Sequence, residues 1–80
     1  MTRAEELRND IENLYFSRRY YFGVLAELED LGMTHTRDFR VCEQNLHAIN
    51  HNIKRLEEEL EKEERREFNR QWYAYAQLSW

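Results

Sequence analysis

The chain has 80 residues, of which 41% are apolar and 35% are charged, with two glycines and no proline. This composition is too apolar for a disordered chain and too charged for a membrane protein. A β-sandwich or barrel needs a turn about every 8–12 residues, which so few glycines and prolines cannot supply. We therefore expect a single all-α domain over residues 1–80, with very few turns.

The charge balance and the cysteine content limit the partners and the compartment. Sixteen acidic against twelve basic residues give a net charge of −4, whereas a nucleic-acid-binding protein usually has a basic excess. A lone cysteine cannot form an internal disulfide, and the longest apolar run, residues 20–26, is too short to cross a membrane. We expect a cytoplasmic protein without a signal peptide, without membrane contact and without general affinity for nucleic acid.

The first helix is delimited by a capping residue and a glycine. Thr2 and Glu5 have the spacing of an S/T-x-x-E capping box, which predicts a helix that begins at Arg3. Gly32 suits the left-handed position that follows the end of many helices. The first helix is therefore predicted over about residues 3–31.

A second helix follows a short turn and meets no glycine or proline before the end of the chain. The turn is predicted over residues 32–35, where Thr34 or Thr36 can cap the next helix. We expect the second helix over about residues 36–66. A C-terminal helical segment is predicted over about residues 67–79.

Apolar residues recur at alternating steps of three and four along both helices, and we call these positions the seam. Fourteen of the sixteen seam positions are apolar, the exceptions being Arg18 and Glu63. The positions are Ala4, Leu7, Ile11, Leu14, Arg18, Tyr21, Leu25 and Leu28, then Phe39, Cys42, Leu46, Ile49, Ile53, Leu56, Leu60 and Glu63. Facing positions have numbers that add to 67, so a short turn pairs every layer. The sequence predicts a long, coiled-coil-like antiparallel helical hairpin.

Aromatic residues remain outside the seam, on the first helix and in the C-terminal segment. A hairpin that buries one stripe per helix is marginally stable, so we expect a further element to cover them. The C-terminal segment either bends back onto the first helix or extends as an overhang that packs on a second copy. We favour homodimerisation, because Asn69 alone could support a bend.

Seven side chains outside the seam are candidate anchors for a protein partner. They combine aromatic rings with arginine, the residue types that carry most of the binding energy at interfaces. They are Phe16, Arg19, Tyr20, Trp72, Tyr73, Tyr75 and Trp80. We expect a non-enzymatic protein-binding module. One form of it is a small inhibitor or regulator, of the kind that phages encode, which occludes a larger nucleic-acid-handling protein.

Two other functions stay open. A single-stranded nucleic-acid-binding protein could use Arg18 and Arg19 together with the neighbouring aromatic residues. A purely structural helical oligomer would need no partner other than itself. We expect neither an enzyme nor a cofactor, since the sequence has no Ser-His-Asp pattern, no phosphate-binding loop and no paired carboxylates in an apolar setting.

Two features could carry metal or thiol chemistry, but a structural interpretation is favoured for each. Glu43, His47 and His51 follow one another at steps of four, a spacing at which two histidines can share a zinc ion. With no fourth ligand nearby, we interpret them as a solvated face and expect no metal. Cys42 is a seam position and is interpreted as a small buried apolar residue.

Charged residues within the helices also have a structural interpretation. Arg18 lies in the seam, where a long side chain with nearby asparagines can fix the register of the two helices. Residues 57–67 contain seven glutamates. Helix-stabilising pairs four residues apart, such as Glu61 with Arg65, account for most of this charge. The alternative interpretation of these glutamates is an acidic surface that competes with nucleic acid for its binding site on another protein.

Overall fold

The structure, a computed structural model, describes residues 1–78, and these form two helices without any strand. Helix α1 spans Arg3–Asp30 and helix α2 spans Arg37–Leu78. The two helices pack as an extended antiparallel hairpin that measures 69 × 17 × 16 Å. The predicted all-α hairpin is confirmed.

Helix α1 begins where its capping residue predicts. The Oγ1 atom of Thr2 accepts a hydrogen bond from the backbone N–H of Glu5 at 3.2 Å. The first turn of a helix leaves its backbone N–H groups without intrahelical partners, and this contact satisfies one of them. The helix therefore starts at Arg3.

Helix α1 ends in a Schellman motif built on Gly32. The Gly32 N–H donates to the Glu29 carbonyl at 3.0 Å, and the Met33 N–H donates to the Leu28 carbonyl at 2.8 Å. This pair of hydrogen bonds requires a left-handed residue, and Gly32 has φ +70°. Glycine adopts that conformation without the steric penalty that a Cβ atom brings.

Thr36, the second of the two candidate threonines, caps α2. Its hydroxyl accepts a hydrogen bond from the Phe39 N–H at 3.2 Å and donates one to the Met33 carbonyl at 2.8 Å. The same hydroxyl thus closes the turn and satisfies an N–H group in the first turn of α2. As a result, α2 begins at Arg37.

The seam forms the core of the hairpin, since each of its sixteen positions is buried or half-buried. Five apolar residues in the described part of the chain are at least about nine-tenths buried, and all belong to the seam. They are Ala4, Leu7, Ile11, Ile49 and Ile53. The Asn45 amide contacts the Tyr21 hydroxyl at 3.4 Å, and Arg18 donates to Asn50 at 3.4 Å. These pairs have numbers that add to 66 and 68, which agrees with the predicted register.

Helix α2 is longer than its partner and extends past it. It contains 42 residues against 28 in α1, so at 1.5 Å per residue it projects about 20 Å beyond the start of α1. We call residues 65–78 the overhang. The structure joins the second helix and the C-terminal segment, predicted as separate elements, into one helix that passes Asn69 unbroken. The described residues therefore do not fold back as a third helix.

The continuity of α2 has a local cause. Its backbone hydrogen bonds are made within the helix, and no glycine or proline interrupts them after residue 32. Glu63 also faces two arginines one and two turns further on, Arg66 at 3.5 Å and Arg70 at 4.0 Å. In residues 1–78 no helix combines the length and the hydropathy needed to cross a membrane.

Candidate functional site

Two surfaces carry the predicted anchor residues, one on α1 and one on the overhang. Phe16, Arg19 and Tyr20 are exposed on α1, on the side opposite the seam. With Gly23, Val24 and Glu27 they make up what we call the α1 surface. Trp72, Tyr73 and Tyr75 are exposed on the overhang. Trp80, the seventh predicted anchor, lies outside the described residues.

The α1 surface is an open groove of about 520 Å³ along the outer side of the helix. Its lining residues recur at steps of three and four, as one face of a helix requires. They are Phe16, Arg19, Tyr20, Gly23, Val24 and Glu27. The Tyr20 ring packs edge-on against the Tyr21 ring, with centroids 5.4 Å apart. Because Tyr21 belongs to the seam, the core of the hairpin holds Tyr20 in position.

Gly23 lies at the middle of the α1 surface and is not required by the hairpin itself. Its φ is not positive, and apart from its chain neighbours and the backbone of its own helix, no heavy atom lies within 4 Å of the place where a Cβ atom would sit. A glycine inside a helix destabilises it by about 1 kcal/mol relative to alanine. The sequence analysis did not single out Gly23, although a glycine within an otherwise regular helix was a visible signal.

The two adjacent arginines of α1 have different environments. The Arg18 guanidinium lies 4.5 Å from the centre of the Tyr15 ring and donates to Asn50 of α2. Its side chain is therefore engaged within the hairpin, in the register-fixing position predicted for it. Arg19 makes no ion pair or side-chain hydrogen bond with any of residues 1–78.

Tyr15 links the α1 side of the hairpin to the acidic part of α2. Its hydroxyl donates a hydrogen bond to the Glu57 carboxylate at 2.5 Å. This hydrogen bond, with partial burial of the ring and the negative charge of Glu57, raises the pKa of Tyr15 above its usual value. The nearby Arg18 acts in the opposite direction but does not outweigh them.

The aromatic side chains of the overhang continue a stripe that begins beside Tyr15. Glu57 contacts Tyr15, and Glu64 pairs with Arg8 at 3.2 Å, so both glutamates lie on one side of the hairpin. Further steps of four and three along this stripe lead to Phe68, Trp72 and Tyr75. Beyond Glu64 there is no facing residue of α1, and the stripe becomes aromatic exactly where it loses its partner helix.

The overhang stripe is partly ordered by its own contacts. The Trp72 and Tyr75 rings are stacked, with centroids 6.2 Å apart and an interplanar angle of 27°. Phe68 is exposed on the same stripe, and it was not among the predicted anchors. Its spacing from Trp72 and Tyr75 was the signal that identifies it. Tyr73 is exposed on another side of the helix.

Most glutamates of residues 57–67 are engaged within the chain. Five ion pairs of the described residues involve this stretch: Arg3–Glu59, Arg8–Glu64, Arg65–Glu61, Arg66–Glu63 and Arg70–Glu63. The predicted pair of Glu61 with Arg65 is among them. Surface pairs of this kind each contribute about 0–1 kcal/mol, so their support of the helices is modest.

The remaining polar candidates show no organised site. In residues 1–78 no group of three histidine, cysteine, aspartate or glutamate side chains is placed to hold a metal ion. Glu43, His47 and His51 lie exposed on α2. Cys42 is half-buried in the seam.

The fold and the two surfaces define this chain as a two-helix hairpin with exposed aromatic side chains. Comparison with models of known protein families, with curated proteins and with solved structures found no match. The α1 surface and the overhang are thus the features from which a function can be inferred.

Proposed function

We propose that this chain is a non-enzymatic protein-binding module that contacts its partners through the α1 surface and the overhang. One observation carries the proposal: six aromatic side chains of these surfaces are more than half exposed. They are Phe16, Tyr20, Phe68, Trp72, Tyr73 and Tyr75. Exposed apolar side chains that cluster in patches are typical of interaction sites, whereas isolated ones are ordinary.

The overhang has the form of a helix that docks into a groove. Phe68, Trp72 and Tyr75 lie at i, i+4 and i+7, the spacing of the anchors with which amphipathic helices fill hydrophobic grooves. The hairpin presents this helix already formed, which lowers the entropy that binding would otherwise cost. The expected partner therefore has an apolar groove about 20 Å long, matched to the overhang.

The charge beside the overhang favours a partner with a basic rim. Residues 57–67 carry seven glutamates against Lys62, Arg65 and Arg66, which leaves a local excess of acid. A protein that handles nucleic acid has such a basic surface. A small inhibitor or regulator that occludes a protein of that kind is the form of the function that we favour.

Nucleic acid itself is a poorer fit to the same surfaces. The net charge of −4 opposes the approach of a phosphate backbone, and Arg18 is engaged with Tyr15 and Asn50. Arg19 is then the one cation of the predicted arginine pair without a contact in the described residues.

Affinity capture with matched variants tests the proposal. The wild-type chain, Trp72→Ala and Leu31→Ala serve as baits, and the captured proteins are compared by mass spectrometry. Leu31 is also exposed but lies at the turn, at the opposite end of the hairpin. We expect a partner that the wild type and Leu31→Ala retain and Trp72→Ala loses. Retention of every captured protein by Trp72→Ala and by a Phe16→Ala/Tyr20→Ala variant contradicts the proposal.

A further inference from the structure

The α1 surface combines a glycine that the hairpin does not need with an open groove around it. A Cβ atom at position 23 would meet no atom of α2 and no side chain across the surface, so packing within the hairpin does not require a glycine there. A glycine in a helix does permit another backbone to approach closely. The groove around Gly23 thus has the shape of a helix-crossing site, with Phe16 and Tyr20 as its apolar wall.

The charges of the groove are arranged symmetrically about Gly23. Arg19 lies four residues before it and Glu27 four residues after it, and both line the groove. Neither side chain has an ion-pair partner in residues 1–78. A second α1 helix that crosses in the antiparallel sense at Gly23 brings Arg19 of each copy level with Glu27 of the other. The surface is therefore complementary to itself.

We propose that the occupant of the α1 surface is a second copy of this chain, paired about a two-fold axis at the level of Gly23. This inference rests on the proposed function, because it names the partner of one of its two surfaces. A two-fold axis makes the interface isologous, so each copy contributes the same aromatic wall and the same gap at Gly23. Arg19 of each copy pairs with Glu27 of the other, which gives two ion pairs.

The pairing has a consequence for the overhangs, which lie at opposite ends of the dimer. Gln44 of α2 stands level with Gly23 of α1. Trp72 follows Gln44 by about 28 residues, so it lies about 42 Å along the helix axis from the level of Gly23. The two Trp72 side chains are then about 80 Å apart and face different binding sites. The dimer is a bivalent ligand, and its affinity for a partner with repeated grooves exceeds that of a single overhang.

Light scattering over a dilution series measures the association directly. We expect twice the chain mass of 10.0 kDa at high concentration, with dissociation into single chains on dilution. Gly23→Leu fills the gap with a strong helix-forming residue, so it keeps the hairpin and leaves the single-chain mass at every concentration. Circular dichroism of this variant confirms that its helices are retained.

Charge reversal tests the symmetry of the interface. Arg19→Glu or Glu27→Arg alone turns both ion pairs of the dimer into pairs of like charge. Each single variant therefore raises the dissociation constant of the dimer about tenfold or more. The Arg19→Glu/Glu27→Arg double variant restores the pairs with exchanged partners and returns the constant to within about threefold of the wild type. Arg40→Glu and Glu43→Arg make the same charge changes on α2, away from α1, and leave the constant unchanged.

Several results overturn this inference. A single-chain mass at every wild-type concentration is one, and a dimer that persists in Gly23→Leu is another. A double variant as weak as the single ones contradicts the symmetric pairing. A dimer that Trp72→Ala abolishes assigns self-association to the overhang instead. Partner capture that depends on Trp72 is measured separately from the chain mass, so a failure of this inference and a failure of the proposed function are distinguishable.

Discussion

Tyr15 of α1 donates a hydrogen bond to the Glu57 carboxylate of α2 at 2.5 Å, and Glu57 lies on the stripe of α2 that carries the rings of the overhang. The stripe of α2 that starts at Glu57 passes Glu64, which pairs with Arg8, and then becomes aromatic at Phe68. The aromatic stripe of the overhang therefore continues the side of α2 that Tyr15 and Arg8 contact.

The Tyr15–Glu57 contact predicts a loss of stability at alkaline pH. The pKa of Tyr15 in the folded chain is raised above its usual value of 10.0, mainly by this hydrogen bond. A raised folded-state pKa means that the contribution is complete below about pH 10 and is lost as the pH rises through the folded-state pKa. We expect the melting temperature of the wild type to fall more steeply above pH 10 than that of Tyr15→Phe.

Circular dichroism melts at half-unit steps from about pH 8 to pH 11 compare the two proteins. The remaining tyrosines are common to both proteins, so their effects cancel in the difference. Parallel curves over that range would show that the hydrogen bond contributes nothing to the alkaline transition.

The seam predicts a large difference between two leucine-to-alanine substitutions. Leu7 is 1% exposed in the seam and Leu31 is 70% exposed at the turn. Leu7→Ala removes buried contacts and leaves a cavity, so we expect it to lower the free energy of unfolding by about 2–5 kcal/mol. Leu31→Ala should change it by no more than about 0.5 kcal/mol. Urea unfolding measures both, and similar values for the two variants contradict the observed core.

The two glycines predict opposite effects of the same substitution. Gly32 has φ +70°, so Gly32→Ala places a Cβ atom in the left-handed region and destabilises the hairpin by about 1–2 kcal/mol. Gly23 lies inside α1 with open space beside it, so Gly23→Ala stabilises the hairpin by up to about 1 kcal/mol. Unfolding is measured at concentrations that keep single chains. A stabilising Gly32→Ala would be incompatible with the Schellman end of α1.

Binding to single-stranded nucleic acid should be undetectable. The chain carries a net charge of −4, and Arg18 is held between Tyr15 and Asn50. We expect the protein to pass through an immobilised oligothymidine column without retention at low salt. Retention that falls steeply with added salt, and that Arg19→Ala weakens, would favour the nucleic-acid alternative instead.

The sequence was sufficient for the hairpin, because the determining signals are local. Thr2 and Gly32 mark the ends of α1 through backbone hydrogen bonds that their own residue types make possible. The regular spacing of the seam then leaves one register in which apolar positions face each other. Each of these features depends on residues that are close in the chain, or on a repeat that can be counted.

The side-chain partners across the two helices could not be predicted in the same way. Asn45, Asn50 and Asn52 all lie within one turn of the level of Arg18, and the sequence does not distinguish them. The structure pairs Arg18 with Asn50, whereas Asn45 contacts Tyr21. The rotamers and lengths of the side chains determine which of these groups come within hydrogen-bonding distance.

Two arrangements were predicted for the C-terminal segment, a bend back onto α1 or an extension as an overhang, and the structure shows the extension. Seam pairing ends near Glu63, because α1 has no more residues to offer, and the spacing did not decide whether the helix bends or continues there. A helix needs no partner for its own hydrogen bonds, so α2 continues to Leu78. Most of the described residues past Glu64 are therefore exposed, as the overhang arrangement requires.

The affinity of a captured partner for the overhang tests the central claim most directly. Calorimetric titration of the purified partner compares the wild type, Trp72→Ala and Leu31→Ala. An aromatic anchor at the centre of an interface contributes about 2 kcal/mol or more, so Trp72→Ala should weaken binding by about thirtyfold, whereas Leu31→Ala leaves it unchanged. Equal affinities for the wild type and Trp72→Ala would contradict the assignment of the overhang as a protein-binding surface.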